Sequence, residues 1–171
     1  AGILLGVGSS IAGASVLPAW LIDIGQIMKA SGGAIFTILP LIFAIGVVLG
    51  FTKNDGVAAL AATVGYFVLI AAMGVVAGFL GVETKPLLGM DSIDTGVFGG
   101  ILVGMVAATL FNRYYRISLP PYLGFFAGKR FVPIVVSFAA ILLAFVLAVI
   151  WPPIGTGIRN FGNWAAYSNP A

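Results

Sequence analysis

Between Lys29 and Lys53 the chain runs for 23 residues without a charged side chain, between Asp55 and Glu83 for 27, and between Asp94 and Arg113 for 18. A further uncharged stretch opens after Arg130. About 20 apolar residues of helix cross the roughly 30 Å hydrocarbon core of a bilayer, and each of these runs is of that order. Only 8% of the 171 residues are charged and 61% are hydrophobic, with a mean hydropathy of +1.17. Ordinary soluble domains carry about 25% charged residues. The charges gather in short clusters between the apolar runs, as they must where a charge inside lipid is costly. The pattern predicts an all-α, polytopic membrane protein with about five transmembrane helices.

The expected spans are 1–20, 30–52, 56–82, 95–112 and 131–151. Asp23 and Lys29 mark a polar connection over 21–31, and Pro40 is expected to kink the second span. "TKNDG" at 52–56 has turn chemistry, and "ETKPLLGMDSID" at 83–94 reads as a polar loop. Trp151-Pro152-Pro153 is expected to end the fifth span, leaving a short, semi-polar tail over 154–171. The first residues, "AGILLGVGSS", begin inside an apolar run without a charged n-region, which suggests a helix begun upstream rather than a cleaved signal peptide.

Residues 113–130, "RYYRISLPPYLGFFAGKR", hold Arg113, Arg116, Lys129 and Arg130 and no acid. Cytoplasmic loops collect Lys and Arg, so this loop is expected inside, with 52–56 on the same side and 21–31, 83–94 and the tail outside. Tyr114, Tyr115 and Tyr122 then fall at the inner interface and Trp20, Trp151 and Trp164 at the outer one. The net charge of +3 is read through this topology, and no nucleic-acid partner is expected.

There is no Cys and no His, which removes disulfides, thiolate chemistry and the commonest general base and metal ligand. No catalytic residue, cofactor or metal is expected within these residues. No acid lies mid-span, so the usual marker of an ion or proton path is missing. Asp55 reads as a turn-forming side chain and Asp91 and Asp94 as members of a solvated loop.

Gly96, Gly100 and Gly104 recur at four-residue spacing, as do Gly2/Gly6, Gly46/Gly50 and Gly74/Gly78. Such rows let helix backbones approach closely in lipid, either within the chain or between subunits. The Lys129-Arg130 pair has two readings as well: a topological anchor at the start of a span, or part of a positive surface facing an anionic partner.

"FNRYYRISLPPYLGFFAGKRFVPI" (111–134), "WPPIGTGI" (151–158) and "NWAAYSNP" (163–170) resemble the glucose-specific enzyme IIC permeases of the bacterial phosphoenolpyruvate:sugar phosphotransferase system. "AGILLGVGS" (1–9), "PLIFAIGVVLGFTKNDGVAALAA" (40–62) and "DTGVFGGI" (94–101) are similar to the same family, with 63–93 least characteristic. The resemblance implies a permease of the bacterial cytoplasmic membrane that takes up glucose and presents it to a phosphorylated IIB domain. Branches specific for N-acetylglucosamine, maltose and glucosides share the framework. It also implies a homodimer, with these helices as the scaffold half. The family's sugar-contacting glutamate and histidine motifs and the IIB phosphocysteine have no counterpart here, so an isolated dimerisation or docking fragment without transport is the competing expectation. Lys129, Arg130, Arg113 and Arg116 are the candidate IIB-docking or inner-mouth residues.

Overall fold

The computed structural model describes residues 1–14, 17–118 and 120–167; the last residues of the tail and of "NWAAYSNP" lie outside these. The described residues form five α-helices, a two-stranded hairpin and two short 3-10 segments: α1 (Gly2–Ala12), α2 (Ala19–Phe51), α3 (Gly56–Leu80), β1 (Lys85–Leu87), β2 (Met90–Ser92), α4 (Gly96–Tyr114), the 3-10 segments Pro121–Phe126 and Gly128–Phe131, and α5 (Val132–Tyr167). Contacts divide the chain into two compact units, Ala1–Leu39 and Pro40–Ala171, with α2 running through the boundary.

In the first unit α1 lies antiparallel on the beginning of α2. A Cβ on Gly25 would fall 2.7 Å from the Ala12 nitrogen, and one on Gly32 would fall 2.7 Å from the Leu5 nitrogen. Backbone therefore rests on backbone, as small residues permit. Here the helices depart from the expected spans. The first helix has 11 described residues, about 17 Å at 1.5 Å per residue, and stops at Ala12 rather than continuing to residue 20 as expected. The expected connection at 21–31 is helical, because Asp23 and Lys29 are isolated charges on an exposed face, Gly25 packs against α1, and no proline lies between Pro18 and Pro40 to stop the helix. Pro18 sits just before α2, where its missing N–H costs nothing. Among the described residues four helices, α2 to α5, are long and apolar enough to cross a membrane.

In the second unit α3 is the central element, packed along α5 and α4. Its ends are well specified. Asp55 caps the N-terminus by accepting the Val57 N–H at 2.9 Å, and Gly81 ends the helix in the left-handed conformation at φ 65°. Two buried clusters fill the unit. One is built on Tyr66, Leu69, Met73, Val103, Ala144 and Ala148, the other on Val48, Ala58, Ala62, Ala107, Phe111 and Val136. Alanine predominates, so the helix axes lie close, while bulky residues such as Phe79, Phe138 and Leu142 point outward.

Two further differences follow from local physics. The loop expected over 83–94 contains an antiparallel hairpin with Lys85 opposite Ser92 and Leu87 opposite Met90. Its two-residue turn, Leu88-Gly89, has positive φ at both positions (51° and 84°), the geometry that matches strand twist. The hairpin seats on α3 at Gly74, where a Cβ would collide with the Asp91 carbonyl. The Pro152-Pro153 pair also fails to end α5, which continues to Tyr167. By then the helix has covered about 30 Å from Val132, and proline is tolerated inside membrane helices where neighbouring groups re-satisfy the backbone. The Thr156 hydroxyl donates to the Pro152 carbonyl at 2.7 Å.

Candidate functional site: a basic face tied to the α2–α3 turn

At one end of the second unit the α2–α3 turn, the end of α4 and the start of α5 converge. The turn is tight because Lys53 and Asn54 both take left-handed backbone (φ 54° and 58°), leaving Asp55 extended as the cap. The glycine of "TKNDG" is not the left-handed residue; it begins α3. Asn112 on α4 donates its side-chain N–H to the Phe51 carbonyl at 3.1 Å, fixing α4 against the turn.

The loop after α4 is ordered by its own backbone. Gly128, at φ 69°, donates its N–H to the Ile117 carbonyl at 3.0 Å and closes the loop that carries the Pro121–Phe126 segment. Tyr114 meets Phe131 edge-on at 6.4 Å and so joins the two ends of the loop, while Phe111 stacks on Tyr115 at 5.6 Å at the end of α4. Tyr122 and Phe125 of the 3-10 segment are exposed.

Arg113, Arg116, Lys129 and Arg130 are thereby brought to one end of the unit, but the Lys-Arg pair is divided between two roles. Lys129 forms an ion pair with Asp55, 74 residues away, and its ammonium lies 6.0 Å from the Phe111 ring centre. Asp55 is mostly covered and Lys129 half-exposed. The hydrogen bond from Lys129 holds the Asp55 carboxyl below its ordinary value of 3.8, against the opposing effect of burial, with the Val57 N–H helping. Arg130 instead lies over Phe125 at 5.0 Å, and Arg116 lies over Tyr115 at 4.9 Å. Neither arginine, nor Arg113, has a carboxylate partner among the described residues. The face thus presents three unpaired guanidinium groups in aromatic surroundings, an arrangement that attracts anions.

The three glycines of α4 also differ from one another. Gly100 and Gly104 face α2: a Cβ on Gly100 would collide with the Pro40 carbonyl, and one on Gly104 would lie 2.7 Å from the Ala44 oxygen. Gly96 packs against nothing within 4 Å; it opens the helix at φ 53°, with its N–H held by Asp94 at 2.9 Å.

The sequence reading missed the Asp55–Lys129 pair, and spacing along the chain carries no sign of it. The one available signal is that Asp55 is the only acid placed on the same side as the basic loop.

Comparison with known proteins shows where the chain belongs. All of residues 1–171 match the family model for the phosphotransferase system, EIIC. The chain belongs to that EIIC family. It is 43% identical over 197 residues to the PTS system glucoside-specific EIICBA component of Staphylococcus carnosus (strain TM300), covering 100% of this chain and 28% of that protein. It is 44% identical over 186 residues to the PTS system glucose-specific EIICBA component of Staphylococcus saprophyticus subsp. saprophyticus, covering 99% of this chain and 27% of the relative. The EIIC chain therefore spans little more than a quarter of the length of these relatives. Family and apolar helices together make it part of a multi-pass membrane protein.

Proposed function

We propose that this EIIC chain is the first part of the membrane domain of a sugar permease, taking up glucose as a IIB domain phosphorylates it. In this reading the 113–130 face is cytoplasmic and receives the phosphorylated IIB domain. The observation that carries the docking assignment is the set of three arginines, Arg113, Arg116 and Arg130, collected at one end without a carboxylate partner among the described residues. Lys129 is the tether that holds the loop to the α2–α3 turn. Glucose is the preferred substrate because one relative is named glucose-specific; a glucoside or N-acetylglucosamine is the alternative, the other relative being named glucoside-specific. Homodimer assembly in the bacterial cytoplasmic membrane completes the proposal.

The competing reading makes the arginines a topological anchor only, and the exposed aromatics beside them suit an interfacial position. Reversing Arg113, Arg116 and Arg130 to Glu in the full-length protein separates the two. Docking predicts that phosphorylation-coupled uptake per inserted molecule falls at least tenfold, because favourable steering becomes repulsive. If uptake falls only in step with the amount inserted, the docking assignment is wrong.

A further inference from the structure

At the other end of the second unit, a cavity of about 610 Å³ opens between the base of the hairpin, the start of α4 and the stretch of α5 from Trp151 to Arg159. Its volume is in the range of small-molecule sites, about 300–1,000 Å³. Its lining combines an aromatic wall with polar groups of both signs. Trp151 is held in orientation by its indole N–H, which donates to the Asp94 carbonyl at 2.8 Å, and its ring meets Phe98 at 5.9 Å. The charged members are Glu83, Asp94, Lys85 and Arg159.

These charges balance, two acids against two bases. Asp94 is already engaged, pairing with Lys85 at 3.5 Å and accepting the Gly96 N–H. Among the described residues Arg159 reaches only the Thr156 hydroxyl, at 3.4 Å, and Glu83 has no hydrogen-bond partner. One carboxylate and one guanidinium are thus available to hydroxyl groups beside a fixed indole. A sugar presents hydroxyls at its edges and C–H groups on its faces, and this lining answers both. A phosphorylated sugar would bring about two negative charges at pH 7, which no excess of positive charge here offsets.

We propose that this cavity is an outer holding site for the neutral hexose, at the end of the bundle opposite the basic face. The proposal rests on the permease reading above. It assigns Glu83 and Arg159 to the sugar hydroxyls and Trp151 to a sugar face.

The test uses the full-length protein in membrane vesicles of both orientations. Thr84, on the cavity lining, is replaced by Cys, and labelling by a membrane-impermeant maleimide is measured above the background of the parent protein. Glucose should slow labelling of Thr84→Cys in right-side-out vesicles, glucose 6-phosphate should not, and a Phe125→Cys control at the opposite end should be unaffected by glucose from that side. Glu83→Gln and Arg159→Gln should each raise the KM for uptake about fivefold, as expected for losing one polar contact. Phosphorylation of glucose supplied to inverted vesicles should keep its parental KM. Absence of protection by saturating glucose, with parental uptake normal, would overturn the outer site and leave the permease reading standing. A KM raised equally from both sides would also overturn it, placing the effect at a shared inner site. A parent protein that neither takes up nor phosphorylates any hexose would overturn the permease reading, and the outer site with it.

Discussion

Replacing Gly104 by Ala tests how the α2–α4 contact is built. The added Cβ would stand 2.7 Å from the Ala44 carbonyl oxygen and 2.9 Å from the Val47 Cβ. An ordinary contact needs about 3.4 Å or more, so the helices must separate by roughly 0.7 Å. The Ala44 oxygen is backbone and cannot swing aside as a side-chain tip would. A gap of 0.5–1 Å forfeits about a quarter to a half of the dispersion energy of the contacts it opens. Overpacking of this kind costs about 1–3 kcal/mol, partly offset by alanine's advantage over glycine in a helix of roughly 0.5–1 kcal/mol. Gly78→Ala on α3 is the reference, since nothing lies within 4 Å of its Cβ position and only the propensity gain remains. The two substitutions should therefore differ by about 1–3 kcal/mol, Gly104→Ala being the less stable. Reversible unfolding of the full-length protein in mixed micelles of rising SDS fraction measures that difference. Equal midpoints would refute the argument that backbone contact between α2 and α4 sets the spacing of this unit.

Asp55→Ala should cost more than Lys129→Met, because it removes a helix cap worth about 0.5–2 kcal/mol as well as an ion pair worth at most about 1 kcal/mol at this exposure. A double-mutant cycle in the same micelles should return the ion-pair share alone. Since the folded carboxyl titrates below its ordinary value of 3.8, that coupling should be constant from pH 8 to about 5, begin to fade below 3.8 and vanish as pH falls through the folded value; loss of coupling between pH 6 and 5 would contradict the pairing. The Ser92 hydroxyl is buried without a hydrogen-bond partner among the described residues, so Ser92→Ala should leave stability unchanged or raise it by about 1 kcal/mol, read from the same unfolding midpoint.

The helical class and the position of the basic loop could be read from the chain because lipid imposes one rule on the whole of it. Charge stays out of the apolar runs, and the runs show where helices lie. Asp55 could be assigned to a turn because N-capping is local chemistry. What escaped depends on partners distant in sequence or on small energetic margins. Asp23 and Lys29 resembled a loop, yet two scattered charges do not outweigh an unbroken helical backbone. The hairpin was hidden because its turn is Leu-Gly rather than Asn-Gly, and Leu88 is held at positive φ while packing against the buried cluster around Leu69. The Asp55–Lys129 pair and the cavity beside Trp151 each join segments more than 50 residues apart. No periodicity records such meetings.

The alanine-lined interior of α3, α4 and α5 also shapes how this sequence can drift over generations. Most buried sites in a water-soluble protein penalise a residue that is too small, since a cavity follows. Here many inward sites already hold the smallest side chains, so selection acts there as a ceiling on volume. Outward sites such as Phe79, Phe138 and Leu142 meet neither limit and ask only to remain oily. Substitution should therefore be scarce and confined to Gly, Ala and Ser on the inner faces, and frequent among bulky apolar residues on the outer ones, with the two rates alternating at helical period along each span.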